Sequence, residues 1–219
     1  MIKITNLVRS AGRGKTVRLF LDGRFAFNLL EEVVLKEKLA VGMELSEAQI
    51  ASLQEANRCQ KCLSAALQIL NYRPRSEREL RMRLQRRNFN ENEIHPAIQN
   101  LKRMGFIDDE SFARFWTENR QSFSPRSRKM TEMELRQKGV PLDVIEQEVS
   151  TMDDTSNAYR AGQKYAHNLK VDDYSSFRRR LGEYLKRRGF GYEVINNTVT
   201  CLWNEKEGGD TDDFADFES

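Results

Sequence analysis

Histidine and cysteine are scarce in this chain, at two and three residues respectively out of 219. His95 and His167 stand alone, and no Ser or Cys lies in a nucleophile-elbow setting, so no constellation for covalent or acid–base catalysis emerges. The odd cysteine count (Cys59, Cys62, Cys201) argues against a disulfide framework. Cys59-Gln-Lys-Cys62 has the CxxC spacing, but a metal would need a second ligand pair and a redox site a strand-to-helix setting. The stretch reads as mid-helix, with small apolar residues on one face. Asp108-Asp109 reads as the negatively charged start of a helix rather than a metal-binding pair. The Ser10–Lys15 loop lacks the GxxxxGK[ST] spacing of a phosphate loop. No apolar run approaches the ~20 residues that span a bilayer. The opening Met1-Ile2-Lys3-Ile4 lacks the apolar core of a secretory signal. These absences predict a cytoplasmic protein that is no enzyme, holds no cofactor or metal and touches no membrane.

Charge is abundant instead. Charged residues make up 32% of the chain against 39% hydrophobic, with only 4 prolines, which suits a helix-rich protein with modest cores. The net charge of +3 hides an asymmetry: residues 205–219 hold seven acids and one base, so the preceding 204 residues carry nine net positive charges. A basic body with an acidic tail suggests a polyanionic partner and self-competition for it.

Residues 1–45 read as a small β-rich extension. Ile2 and Ile4, then Val17, Leu19 and Leu21, alternate with polar neighbours, and Phe25 and Phe27 continue the pattern across the Asp22-Gly23 turn. Leu30–Lys38 reads as helical. Three short strands are marginal alone, so the meander is expected to lean on the helical segment after it. From Ser46, where Ser46 and Gln49 make a capping box, the chain turns helical. Leu84, Leu135 and Leu185 then mark an internal repeat of about 50 residues. Apolar residues accompany them in step: Phe89, Val140 and Phe190; Ile94, Ile145 and Ile195; Ile98, Val149 and Val199. The residue before each member of the first trio is Asn88, Gly139 or Gly189, the types that accept a left-handed helix cap. Each repeat holds three helical segments, with the first middle helix starting at a Ser76/Glu79 capping box. The expected fold is mainly α: three tandem three-helix modules in an elongated array behind a small β-meander. The boundaries read as 46–107 for a helical linker and first module, 108–152 for the second, 153–204 for the third, and 205–219 for a flexible acidic tail. Pro96 falls inside one helix and blurs its start.

The basic residues gather on the middle helix of each module. The first offers Arg73, Arg75, Arg78, Arg81 and Arg86, within seven arginines in fifteen residues that include Arg83 and Arg87. The second offers Arg126, Arg128, Lys129, Arg136 and Lys138, and the third Arg179, Lys186, Arg187 and Arg188 beside Arg178 and Arg180. Recurrence in register favours a cationic stripe that neutralises phosphates or acidic side chains. The alternative is a solvated surface paired to Glu77, Glu79, Glu132 and Glu134. Charge does not distinguish DNA, RNA and an acidic protein groove. Phe112, Phe115 and Trp116, at i, i+3 and i+4, read as an inward helix face rather than a stacking platform.

Several runs resemble the RecX family. Tyr72-Arg-Pro-Arg-Ser-Glu-Arg-Glu-Leu80-Arg-Met-Arg-Leu84 is similar to its opening signature, and Gly105-Phe-Ile-Asp-Asp-Glu-Ser-Phe-Ala113 with Trp116 and Arg120 to its second. Pro125-Arg-Ser, Glu134-Leu-Arg-Gln-Lys-Gly139 and Tyr184-Leu-Lys-Arg-Arg-Gly-Phe190 continue the likeness, which spans about residues 58–204. Residues 1–45 lie outside it. Asn88 stands where the other two repeats have glycine. The resemblance implies tandem three-helix modules. It further implies a regulator that binds RecA filaments on single-stranded DNA, lies in the filament groove and limits ATP hydrolysis and strand exchange; the chain itself is expected to be a monomer. Direct DNA binding without RecA is the competing expectation, and a helical scaffold with incidental charge is the third.

Overall fold

The computed structural model describes residues 1–10 and 15–209, with side chains to 207. Two compact units divide it, Met1–Asp108 and Asp109–Ser219.

The first unit opens with β1 (Ile2–Arg9), β2 (Thr16–Leu21) and β3 (Arg24–Leu30) as an antiparallel meander. Asp22 and Gly23 both have positive φ (46° and 78°), the twist that a two-residue hairpin demands. The short helix α1 (Glu31–Lys36) comes directly after β3. A fourth strand, β4 (Glu44–Leu45), pairs with β1 to give the order β3-β2-β1-β4. Two residues are too few to show periodicity, which is why the sequence revealed only three strands. Ile4, Leu19, Leu29, Val33, Leu45 and Leu53 form the core on one face. Phe25 and Phe27 do not share a face as their spacing predicted. The ladder slips between Leu19 and Phe20, so that Leu19 pairs with Phe27 but Phe20 pairs with Phe25. The bulge turns Phe25 outward while Phe27 packs inward.

The meander does lean on the next element, α2 (Glu47–Leu70). Its capping box is present: Gln49 N donates to Ser46 Oγ at 3.2 Å and Ser46 N to Gln49 Oε1 at 2.8 Å. Leu53 fills the sheet core, and buried Asn57 completes the edge of β3, donating to Asn28 O and accepting from Leu30 N, both at 2.9 Å. A side-chain amide thus stands in for a neighbouring strand. The second half of α2 belongs to the first module. Cys62, Ala66 and Ile69 pack there with Leu80 and Leu84 of α3 (Glu77–Gln85) and with Ile94, Ala97, Ile98 and Leu101 of α4 (Glu91–Arg103). Pro96 sits inside α4 without ending it.

The second unit holds the other two modules: α5 (Asp109–Phe123), α6 (Arg128–Lys138) and α7 (Leu142–Ser150), then α8 (Asp154–Ala166), α9 (Tyr174–Arg187) and α10 (Tyr192–Gly209). Phe112, Leu135, Ile145 and Val149 lead one core; Phe177, Leu181, Leu185 and Val199 lead the next. Helix α10 runs past residue 204, where the third module was expected to end, so residues 205–209 are helical. The rest of the acidic tail lies outside the described residues.

The repeat is literal at the helix ends. Asn88, Gly139 and Gly189 all have positive φ, at 63°, 78° and 87°. The N–H groups of Phe89, Val140 and Phe190 reach back to the carbonyls of Leu84, Leu135 and Leu185 at 3.2, 3.2 and 3.4 Å. Those are Schellman closures, in which the apolar residue after the cap is pulled onto the last turn.

Candidate functional site

The three middle helices α3, α6 and α9 carry the basic residues, and the acids around them decide which cations remain available. In the first module Glu79 is only 7% exposed, yet it accepts from Arg73 at 2.6 Å and Arg75 at 2.7 Å, with Arg83 3.9 Å away. Arg75 is itself buried at 9% exposure, so it is an internal clamp rather than part of a solvent-facing stripe. Arg81 pairs with Glu77 at 3.0 Å and with Glu91, while Lys102 reaches Glu77 at 2.5 Å. Burial pushes the Glu77 carboxyl upward, but the bonds from Lys102 and Arg81 outweigh it and hold the group below its ordinary value. Arg78 and Arg86 stay exposed, with no ion pair among the described residues.

The second module repeats the arrangement around Glu134. One carboxylate oxygen accepts from Trp116 Nε1 at 2.8 Å and Arg120 Nε at 2.7 Å; the other accepts from Arg126 at 2.6 Å. Arg120 and Lys138 lie over the Trp116 ring, 4.7 and 4.8 Å from its centroid. Phe112 is buried as its spacing predicted, whereas Phe115 and Trp116 are half-buried. The i, i+4 spacing of Trp116 and Arg120 was the available signal for this cage. Arg136 is tied to Glu132 at 2.6 Å. Arg128 and Lys129, at the start of α6, are exposed and carry no ion pair among the described residues.

In the third module Arg179, Lys186 and Arg187 are exposed in the same way. Arg188 is not. Its guanidinium donates to Ser124 Oγ at 3.0 Å and Pro125 O at 3.1 Å, and it covers Tyr184, whose ring stacks on Tyr165 at 4.1 Å. Its carbonyl accepts from Ser127 N at 3.1 Å, and Ser127 is the N-cap of α6. A Cβ on Gly189 would lie 2.6 Å from Ser127 Oγ, which measures how closely the two helix ends meet. The negative end of α9 therefore abuts the positive end of α6. That joint sets Lys186 and Arg187 in the turn next to Arg128 and Lys129.

The fourteen expected contact residues thus separate by environment. Arg78, Arg86, Arg128, Lys129, Arg179, Lys186 and Arg187 are open to solvent. Arg73, Arg75, Arg81, Arg126 and Arg188 are engaged within the fold, Arg136 is exposed but paired with Glu132 one turn away, and Lys138 rests on Trp116. Sequence reasoning had read Glu79 as the capping-box partner of Ser76 and, with Glu134, as a surface acid, and missed the role of both as hubs.

Among the described residues, no three His, Cys, Asp or Glu side chains converge as a metal site, and no helix is long and apolar enough to cross a membrane. Cys62 lies in the first module's core, where burial first, then Glu93 and Cys59, push its thiol up to about 12.

Models of the RecX first, second and third three-helix domains match residues 62–101, 108–148 and 153–199. The regulatory protein RecX of Clostridium botulinum (strain Alaska E43 / Type E3) is 28% identical over 93% of this chain and 98% of its own length. That of Clostridium beijerinckii is 27% identical over 98% and 100%. A crystal structure of a regulatory protein RecX superposes with a TM-score of 0.68 at 23% identity, covering 90% of this chain and 98% of that one. The RecX structure from Lactobacillus salivarius gives 0.56 at 23% identity, over 67% and 97%. With three successive domain models aligned in order across more than half of its length, this chain belongs to the RecX family.

Proposed function

We propose that the chain is a non-enzymatic cytoplasmic regulator of a recombinase. It binds RecA, or RecA on single-stranded DNA, as a monomer and limits the filament's ATP hydrolysis and strand exchange. The relatives' name as regulatory proteins supports the coarse reading. The finer one rests on the joint between α9 and α6, which brings the last turn of α9, with Lys186 and Arg187, to the start of α6, with Arg128 and Lys129. None of the four side chains makes an ion pair among the described residues, although the Arg128 backbone N–H donates to Asp154 Oδ1 at 2.6 Å. Unpaired cations keep their charge available to an incoming phosphate or carboxylate, whereas Arg75 or Arg126 would first have to abandon a bond already made.

The test is a titration of the chain into RecA, single-stranded DNA and ATP, monitored by phosphate release. Inhibition near equal stoichiometry is expected. Reversing all four cations (Arg128→Glu, Lys129→Glu, Lys186→Glu, Arg187→Glu) should abolish it while leaving the helical signal intact. An ATPase rate unchanged by stoichiometric wild-type chain ends the proposal. The same open cations would serve a direct DNA binder equally well. That second reading requires salt-sensitive DNA binding without RecA and no effect of the chain on RecA itself.

A further inference from the structure

The outer face of the N-terminal sheet carries a group of side chains that the helical modules do not account for. Val17 and Leu19 of β2 point into the core, so Arg18 and Phe20 point away from it. A regular ladder would set Ala26 opposite Phe20 and leave Phe25 on the packed side. The bulge instead sets Phe25 opposite Phe20, and Phe25 remains 50% exposed. The two rings meet edge to face at 6.0 Å, and the Arg18 guanidinium lies 5.4 Å from each centroid. Asn6 and Val8 of β1 and Asn28 of β3 are the register partners beside Phe20 and Arg18, and all three are exposed. Lys3 shares this face with Arg18, and the exposed Glu44 of β4 lies opposite Lys3. Arg9 and Arg24, paired with Val17 and Leu21, belong to the packed face, where Arg9 meets Glu31 at 2.5 Å.

Turning a phenylalanine out of a small core gives up burial that a four-stranded sheet can ill spare. Bulges that re-aim a side chain are a recurring way of exposing it for contact. A flat, half-open ring backed by a guanidinium, with amides alongside, matches an unpaired base joined to a phosphate. A duplex offers no base face to stack on. We propose that this face is a second nucleic-acid site, separate from the helical modules, which holds a single strand by stacking a base on Phe25 while Arg18 holds the adjoining phosphate.

The experiment needs no recombinase: a fluorescein-labelled oligothymidylate is titrated with the full chain and its anisotropy recorded. Phe25→Ala should weaken binding by about five- to hundredfold and Phe25→Trp should preserve it, because stacking on one base carries an effect of that order. Arg18→Ala should lower the steepness of the salt dependence by about one phosphate contact. Phe25 is a surface residue and the variants should keep the wild-type far-UV spectrum. Ultraviolet cross-linking of the unaltered chain gives a readout independent of substitution, and adducts should fall on the peptide containing Phe20 and Phe25. If Phe25→Ala and Arg18→Ala bind within twofold of wild type and no adduct maps there, the site does not exist. If Phe25→Ala weakens binding of polyglutamate but not of the oligonucleotide, the face serves an acidic protein and the proposal is equally overturned.

Discussion

Gly189→Ala tests whether the second and third modules are joined as described. Two costs should combine. The residue sits at φ 87°, where an L-residue is disfavoured by about 1–2 kcal/mol. The new methyl would also lie 2.6 Å from Ser127 Oγ and 3.0 Å from Met130 Cβ. Ser127 cannot simply turn aside, because its hydroxyl caps α6 by accepting from Met130 N at 3.2 Å, and losing such a cap costs about 1 kcal/mol. Pushing the helix end away instead stretches the bond from Ser127 N to Arg188 O. We therefore expect about 2–4 kcal/mol in total. Gly105→Ala is the internal control: φ is 72° but nothing lies within 4 Å of the added Cβ, so only the backbone cost of about 1–2 kcal/mol remains. Both tryptophans, Trp116 and Trp203, belong to the second unit, so indole fluorescence during urea unfolding reads the unit that contains Gly189. Far-UV ellipticity reads the control. Equal losses for the two alanines would mean that the helix ends do not touch, and the alignment of Lys186 and Arg187 with Arg128 and Lys129 would go with them.

The polar hubs and thiols lead to further expectations. Glu134→Ala strands donors from Trp116, Arg120 and Arg126 and should cost about 2–3 kcal/mol, with Glu134→Gln milder because it still accepts from the indole; unchanged thermal stability in both would refute the hub. The folded carboxyl of Glu77 sits below its ordinary 4.5, so its stabilisation is complete above that pH and drains away as pH falls through the lower folded value. Unfolding midpoints between about pH 3 and pH 6 should therefore fall more steeply for wild type than for Glu77→Gln, and parallel curves would contradict this. Exposed Cys201 should react first with a thiol reagent, although its bond to Glu205 slows it, whereas Cys62 should stay inert until the first module unfolds. Mass spectrometry of the labelled folded chain would decide this, and early labelling of Cys62 would disprove its burial.

The modules were legible because their punctuation is local. A left-handed cap needs glycine or asparagine, and its closing bond needs an apolar residue just beyond, so Asn88-Phe89, Gly139-Val140 and Gly189-Phe190 display their geometry in the primary structure. The Asp22-Gly23 turn and the Ser46/Gln49 box are readable for the same reason. What escaped depends on distance through space. The ladder slip that exposes Phe25 is invisible in an alternation that looks unbroken. Nor does counting arginines distinguish Arg78, which faces water, from Arg75, which is folded onto Glu79. That distinction arises from where an acid on the same element happens to point, and composition holds no trace of it.

Helix α2 ties the fate of residues 1–45 to that of the first family domain. Any truncation meant to isolate the helical modules must cut a rod that two cores share. A start at Ser46 keeps the cap but strips the cover from Leu53 and leaves the Asn57 amide facing water in place of the β3 edge. A start just before Cys62 removes those liabilities yet begins a helix in mid-turn, with its first N–H groups unanswered. Poor behaviour of either fragment would accordingly reflect a severed girder, and the contribution of the extension is better judged by point substitution than by deletion.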